Sequence, residues 1–266
     1  MGKIAFLGDS ITKATDYGGV MQPDTFAYKI GIGAGYSAAQ IINAGVSSDT
    51  MAGMVARLGT DVFGKGANVC CCMPMTNDAH SGTTVASFKA SLAAFVTQCR
   101  ANGVKPVFMS PPVYRGNETV MAETNTFLGA LQDVAAANSV PLIDYCRESA
   151  WAYLCNSAGW ALRYVDYVHQ TVAGHAAIAE FALRSGNAVH FTADVAAPDP
   201  LKTLAVACAD FALDQSSVTK QTALQQARAA FPWLPVLVPG LLVLGHGFAG
   251  EEDLQEGYDS DAEDEQ

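Results

Sequence analysis

The sequence lacks the paired cysteines that hold thiolate zinc sites, because its seven cysteines include no Cys-x-x-Cys pair. Three of them, Cys70, Cys71 and Cys72, are consecutive in an apolar run, which favours buried free thiols that behave as small hydrophobic side chains. A signal-peptide pattern is also missing, since only four apolar residues separate Lys3 from Gly8. Free thiols and no secretion signal predict a reducing compartment such as the cytoplasm.

Positive charge is scarce and forms no stripe. The formal net charge is −11, but the last sixteen residues, from Glu251 on, contain nine acidic residues and no basic one. Without them, 17 acidic residues stand against 15 basic ones, so the rest of the chain is nearly neutral. Such a body excludes nucleic acid as an expected partner, and the acidic tail is expected to be solvated.

Strand-like and helix-like segments alternate along the first 185 residues. Half of the 266 residues are hydrophobic, which is enough for the core of one domain of about 150 to 250 residues. Helix-length connections between strands imply parallel pairing with right-handed crossovers, and therefore an α/β fold. Pro141 predicts that the fifth strand is short or lies at an edge. The predicted strands are residues 3–7, 40–45, 68–73, 106–109 and 140–144, and the last predicted helix is residues 172–183.

Ser10 lies just beyond the first predicted strand, in the run Gly8-Asp9-Ser10. The loops after strands one, two and three carry Ser10, Gly45 and Asn77, and in a parallel sheet they meet at one edge, where such sheets bind ligands. A serine there acts as a nucleophile only if a base and an oxyanion site converge on it. The alternative is a turn serine that caps the following segment.

His169 is the histidine best placed to serve as that base, because Asp166 precedes it by three residues in a predicted loop. A carboxylate there can accept from one ring nitrogen and fix the tautomer. The alternatives are an ordinary polar loop, or a metal site shared with His175, for which no third ligand of suitable spacing is evident.

Taken together, these motifs resemble the SGNH, or GDSL, hydrolase family over roughly residues 3–183. The matching blocks are Gly8-Asp9-Ser10, Asn43-Ala44-Gly45, Thr76-Asn77-Asp78 and the pair Asp166 and His169. The resemblance implies a flavodoxin-like three-layer α/β/α sandwich and hydrolysis of an ester or similar acyl bond, without metal or cofactor. It also implies that Ser10 attacks the acyl carbon, that His169 transfers the proton of Ser10 to the leaving alcohol, and that Asp166 orients His169. The oxyanion would be held by Ser10, Gly45 and Asn77.

Two positions depart from the family pattern. Met75 stands where the third motif usually has glycine, two residues before Asn77, and Ser48 replaces a frequent glycine after the second motif. We expect Met75 either to narrow the pocket to a small acyl group such as acetyl or to displace Asn77 and weaken the site. The absence of a Gly-x-Ser-x-Gly elbow argues against the unrelated α/β-hydrolase fold.

The remainder of the chain is predicted to be an appendage, with domains at 1–185, 186–250 and 251–266. Residues 201–213 and 218–230 are typical of helices. Residues 231–244 are apolar but contain three prolines, which disfavours a membrane helix and favours an extended arm docked on this protein or on a partner.

Two functions follow as hypotheses. The first is a serine hydrolase of small acyl esters, with carbohydrate O-deacetylation as one example. The second is a weakly active or inactive module of the same fold that binds or assembles, as a homo-oligomer or in a larger particle such as a virion, through residues 231–266.

Overall fold

The computed structural model describes residues 2–114, 118–155, 157–184 and 186–192, and within them a single sheet is flanked by helices. The predicted helices at 201–213 and 218–230, the apolar run and the acidic tail lie outside these residues. The strands are β1 (Lys3–Gly8), β2 (Ile41–Gly45), β3 (Ala67–Met73), β4 (Lys105–Met109) and β5 (Leu142–Ile143). The α-helices are α1 (Ser10–Lys13), α2 (Phe26–Gly33), α3 (Met51–Ala56), α4 (Thr76–His80), α5 (Val85–Ala101), α6 (Glu118–Ala137), α7 (Tyr145–Cys155), α8 (Ser157–Ala161) and α9 (Val172–Leu183).

The sheet has the order β2-β1-β3-β4-β5, and every pair is parallel. Gly8 pairs with Gly45 on one side and with Met73 on the other, so β1, β2 and β3 end at the same level. Their following loops therefore open at one edge, as predicted for parallel strands. The strand β5 has two residues and lies at the sheet edge, in agreement with the expectation from Pro141.

Both faces of the sheet are buried, which explains why the strands read as continuous apolar runs. Alternate residues of β1 face opposite layers: Ala5 and Leu7 pack with α3, α5 and α6, whereas Ile4 and Phe6 pack with α2 and α9. The result is the predicted three-layer α/β/α sandwich. The cysteines at 70–72 are buried free thiols, and burial raises the pKa of each.

Helix boundaries follow capping chemistry. The hydroxyl of Thr84 accepts from the Ser87 N–H at the start of α5, and Thr171 does the same for Gly174 at the start of α9. One face of α5 is fully buried, and each large side chain there stabilises the fold by about 1.5–3 kcal/mol. That face consists of Phe88, Leu92, Phe95, Val96 and Cys99.

Two regions form helices that the sequence does not predict. The chain forms the single turn α1 directly after Ser10. The aromatic-rich segment from Arg147 lies mostly in α7 and α8. Across the residues that are described, no helix combines the length and the apolar character that crossing a bilayer requires.

Candidate active site

Ser10 is placed by the junction between β1 and α1. A Cβ atom on Gly8 would lie 2.0 Å from Thr12 Oγ1 and 3.1 Å from the Met73 carbonyl, so only glycine fits where the chain turns into α1. Asp9 Oδ1 accepts from the Ile11 N–H at 2.9 Å and caps the turn. Ser10 is therefore the first residue of α1, largely buried at the edge where the strands end.

His169 reaches Ser10 across the sheet edge. Its Nε2 lies 2.9 Å from Ser10 Oγ, and its Nδ1 lies 2.7 Å from Asp166 Oδ2. The loop that carries it is closed by the Tyr164–Gln170 bridge and by a 2.8 Å bond from the Val165 N–H to the His169 carbonyl. The structure thus brings Ser10, His169 and Asp166 into one hydrogen-bonded chain.

Asp166 is arranged to remain an anion. Partial burial raises the pKa of its carboxyl, but hydrogen bonds from the His169 backbone and ring and from the Val168 N–H outweigh burial and hold the pKa below its usual value. Both backbone bonds measure 2.7 Å to Oδ1, which leaves Oδ2 for the ring. An ionised carboxylate on Nδ1 favours the tautomer in which Nε2 is free to accept.

Glycine is required at position 45 because the end of β2 lies very close to α1. A Cβ atom there would lie 2.1 Å from the backbone nitrogen of Lys13. Asn43 joins the same two elements, because its Nδ2 donates to the Thr12 carbonyl at 2.9 Å while its Oδ1 accepts from the Gly45 N–H at 3.0 Å. The Gly45 N–H lies at the predicted edge and is held by Asn43.

Asn77 lies in α4, directly after β3. Its Nδ2 donates to the Asp49 carbonyl at 2.9 Å and to Asp9 Oδ2 at 3.3 Å. The second contact is long for an N–H···O bond, so that proton is the more loosely held of the two. The side-chain amide therefore belongs to the same cluster as the Asp9-Ser10 turn.

The four motifs found in the sequence thus meet at the turn of residues 9–12 that carries Ser10, and a family model matches this part of the chain. The model for GDSL-like lipases and acylhydrolases matches residues 6–177. The chain belongs to this GDSL family.

Solved structures of similar fold include several esterases. The acetyl xylan esterase AlAXEase superposes with a TM-score of 0.58 at 21% identity, covering 67% of this chain and 96% of that one. A putative lipolytic protein of the G-D-S-L family from Desulfitobacterium hafniense DCB-2 gives 0.57 at 19% identity, covering 69% and 99%. The acetylxylan esterase Axe2 from Geobacillus stearothermophilus gives 0.57 at 20% identity, covering 69% and 93%. No curated protein matches the chain.

Tyr17 stacks on the histidine of this GDSL domain. The ring centroids of Tyr17 and His169 are 3.4 Å apart and the planes are inclined by 9°. Such a contact restrains the imidazole and offers a π face to its protonated form. Tyr17 could not be predicted from the sequence, because nothing in a loop sequence indicates which aromatic residue will meet a histidine 152 positions later.

Two buried carboxyls lie beneath the site. Burial is the largest cause that raises the pKa of Asp9, to about 7, and the neighbouring Asp78 and Asp49 charges add to it. Burial also raises the pKa of Asp78, to about 6, although the Met51 N–H donates to its Oδ2 at 2.9 Å. Asp9 and Asp78 were recognised in the sequence only as parts of the motifs, and their raised pKa values could not be predicted from it.

Both departures from the family pattern have left-handed backbones. Met75 has φ = 105° and Ser48 has φ = 63°, a region that glycine occupies without strain. The Met75 side chain is completely buried in the cluster of α3, α5 and α6. Asn77 donates to the Asp49 carbonyl and to Asp9 Oδ2, so its side-chain amide has protein acceptors in the described contacts.

His175 lies apart from this chemistry. It is buried in α9, where its Nδ1 accepts from the Phe26 N–H at 3.4 Å, and burial lowers its pKa to about 4. No cluster of three metal-binding side chains occurs in the described part of the chain. His175 therefore has a packing role in the structure.

Proposed function

We propose that this GDSL-family protein is a serine hydrolase of acyl esters in which Ser10, His169 and Asp166 form the catalytic triad. The observation that carries the proposal is the 2.9 Å approach of His169 Nε2 to Ser10 Oγ, with Asp166 on the other ring nitrogen at 2.7 Å. These are the distances and roles that an activated nucleophile needs.

The reaction follows from this order of groups. Ser10 Oγ bonds to the acyl carbon while His169 Nε2 takes the hydroxyl proton, and Asp166 stabilises the resulting imidazolium. The carbon–oxygen bond to the leaving alcohol then breaks, and His169 returns the proton to that oxygen. Water, deprotonated by the same nitrogen, then attacks the acyl carbon, the bond from that carbon to Ser10 Oγ breaks, and His169 returns the proton to Oγ as the carboxylic acid leaves.

The developing oxyanion would be held by the backbone N–H groups of Ser10 and Gly45 and by Asn77 Nδ2. The Gly45 N–H donates to Asn43 Oδ1, which would have to release it to the substrate oxygen. Asn77 Nδ2 would exchange its longer bond to Asp9 Oδ2 for one to that oxygen. A single donor of this kind is typically worth about 100-fold to 1,000-fold in rate.

For the substrate we propose a small acyl group, such as acetyl, on a carbohydrate or another alcohol. The proposal is supported by solved structures of similar fold, several of which are acetyl xylan or acetylxylan esterases. No metal or cofactor is required by this mechanism.

The test compares the Ser10→Ala variant with wild type on p-nitrophenyl acetate, butyrate and octanoate. Wild type should hydrolyse the acetate best, and Ser10→Ala should lose at least about 1,000-fold of kcat, as removal of a triad member does. Ser91→Ala, which removes a serine on α5 whose Oγ donates to the Ser87 carbonyl at 3.0 Å, should retain full activity. Equal rates for Ser10→Ala and wild type would refute the triad.

A role in assembly is a second proposal, supported by the apolar residues 231–244 and the acidic tail in the sequence. We infer that residues 231–266 join the hydrolase to copies of itself or to a larger particle. Removal of those residues should reduce the number of chains per particle measured by light scattering; an unchanged number would refute this role without affecting the hydrolase.

A further inference from the structure

Arg57 binds three acceptors at the end of α3. Its Nη2 donates to the Gly8 carbonyl at 2.9 Å, its Nε to Asp49 Oδ2 at 2.7 Å and its Nη1 to Asp61 Oδ2 at 2.9 Å. The side chain is 16% exposed, so these bonds are shielded from water. A guanidinium is planar and rigid, and it fixes its partners relative to one another.

Two of the three acceptors belong to segments that build the candidate site. Gly8 is the last residue of β1, two positions before Ser10. Asp49 receives Arg57 on its carboxylate, and its carbonyl accepts from Asn77 Nδ2 at 2.9 Å. One guanidinium therefore connects the turn that carries the nucleophile with the group that anchors the side-chain amide.

The anchoring bond determines where the other amide proton points. Because one Asn77 N–H is held firmly by Asp49, the second, which meets Asp9 Oδ2 at 3.3 Å, has a fixed direction. An oxyanion donor stabilises the transition state only if it is aimed before the charge develops.

We propose that Arg57 is a positioning residue, which acts through Asp49 and the Gly8 carbonyl to hold Asn77 Nδ2 in place relative to Ser10. This inference rests on the proposed hydrolase function. Arg57 itself contacts neither the nucleophile nor the base in the described contacts, so its effect should appear in the rate of the chemical step and not in substrate affinity.

The first experiment uses Arg57→Lys, which keeps the charge but loses the planar fork. We expect kcat for p-nitrophenyl acetate to fall about 10-fold to 100-fold, the effect of a small misplacement, with KM within about threefold. Asp61→Asn is the matched control, because it removes a partner of Arg57 that touches neither Gly8 nor Asn77; its kcat should stay within about twofold. Equal losses in both variants would refute the proposed route.

A double-mutant cycle separates positioning from general destabilisation. In an Asn77→Ala background, Arg57→Lys should cost less than about threefold in kcat, because the group that it positions is already absent. The same factor in both backgrounds would show independent effects and overturn the proposal. If Arg57→Lys does not fold, Asp49→Asn, which keeps the backbone carbonyl that binds Asn77 and removes the charge that pairs with Arg57, replaces it in the same cycle.

The side-chain amide of Asn77 provides a readout that does not need turnover. Its NMR signals, assigned by their loss in Asn77→Ala, should shift or broaden in Arg57→Lys and remain unchanged in Asp61→Asn. If the wild type hydrolyses no ester, the proposed function is refuted, and the NMR signals alone then show whether Arg57 positions Asn77. Unchanged Asn77 signals in Arg57→Lys would refute the positioning role even in an active enzyme.

Discussion

The buried Asp9 carboxyl should make the protein less stable as the pH rises from about 4 to about 7. Its pKa is raised from 3.8 to about 7, chiefly by burial, whereas the unfolded chain ionises near 3.8. The stabilising contribution of the neutral group is therefore complete below the unfolded pKa and is lost as the pH rises through the folded one. A pKa difference of one corresponds to about 1.4 kcal/mol, so the free energy of unfolding should fall by about 4 kcal/mol over this pH range.

The perturbation is Asp9→Asn, which preserves the cap because an amide oxygen can also accept from the Ile11 N–H. Urea unfolding at pH 4, 6 and 8 should show that the stability of the variant relative to wild type improves by up to about 4 kcal/mol across this range. The lost bond from Asn77 shifts all three values by a similar amount and does not change the trend.

Asp16→Asn is a control in which the effect on stability should change with pH in the opposite direction. The Lys13 ammonium and the Ser47 hydroxyl, which hydrogen-bond to exposed Asp16, lower its pKa. Its contribution is therefore present above the unfolded pKa and lost as the pH falls. Parallel pH curves for Asp9→Asn and wild type would mean that Asp9 is not a buried neutral acid, and would refute the reasoning.

Three further predictions concern backbone strain, the histidine stack and a second buried group. Relief of the left-handed backbone is worth about 1–3 kcal/mol and loss of a buried methionine costs about 2–5 kcal/mol, so Met75→Gly should lower the melting temperature. Ser48→Gly, at an exposed site whose φ is also positive, should raise it. Tyr17→Leu should reduce kcat by about 3-fold to 30-fold because a cation–π contact contributes about 0.5–2 kcal/mol, whereas Tyr17→Phe should keep most of the rate; equal losses in both variants would exclude the ring face as the cause. Burial lowers the pKa of His175 to about 4, so the stabilising effect of the neutral ring is lost as the pH falls from about 6.5 to 4. In His175→Asn the free energy of unfolding should therefore change less with pH, by up to about 3 kcal/mol over that range. The same pH dependence in wild type and variant, measured by urea unfolding, would contradict this.

Much of the fold could be predicted because its signals are local. The helix Val172–Leu183 was predicted to the residue, since Thr171 caps its start, and the five strands were recognised as apolar runs separated by helix-length segments. No helix could be predicted where short-range signals are weak: α1 is one turn long, and α7 and α8 lie in an aromatic-rich segment with no clear periodicity.

By itself, the sequence determined the parallel α/β architecture and the motifs that end β1, β2 and β3, because turn glycines and apolar periodicity act over a few residues. Only the tertiary structure decided what surrounds them. The stack of Tyr17 on His169, the burial that raises the pKa of Asp9 and the three bonds of Arg57 all join residues far apart in the chain. Such distances, and the exclusion of water that alters acidity, exist only after the layers have packed.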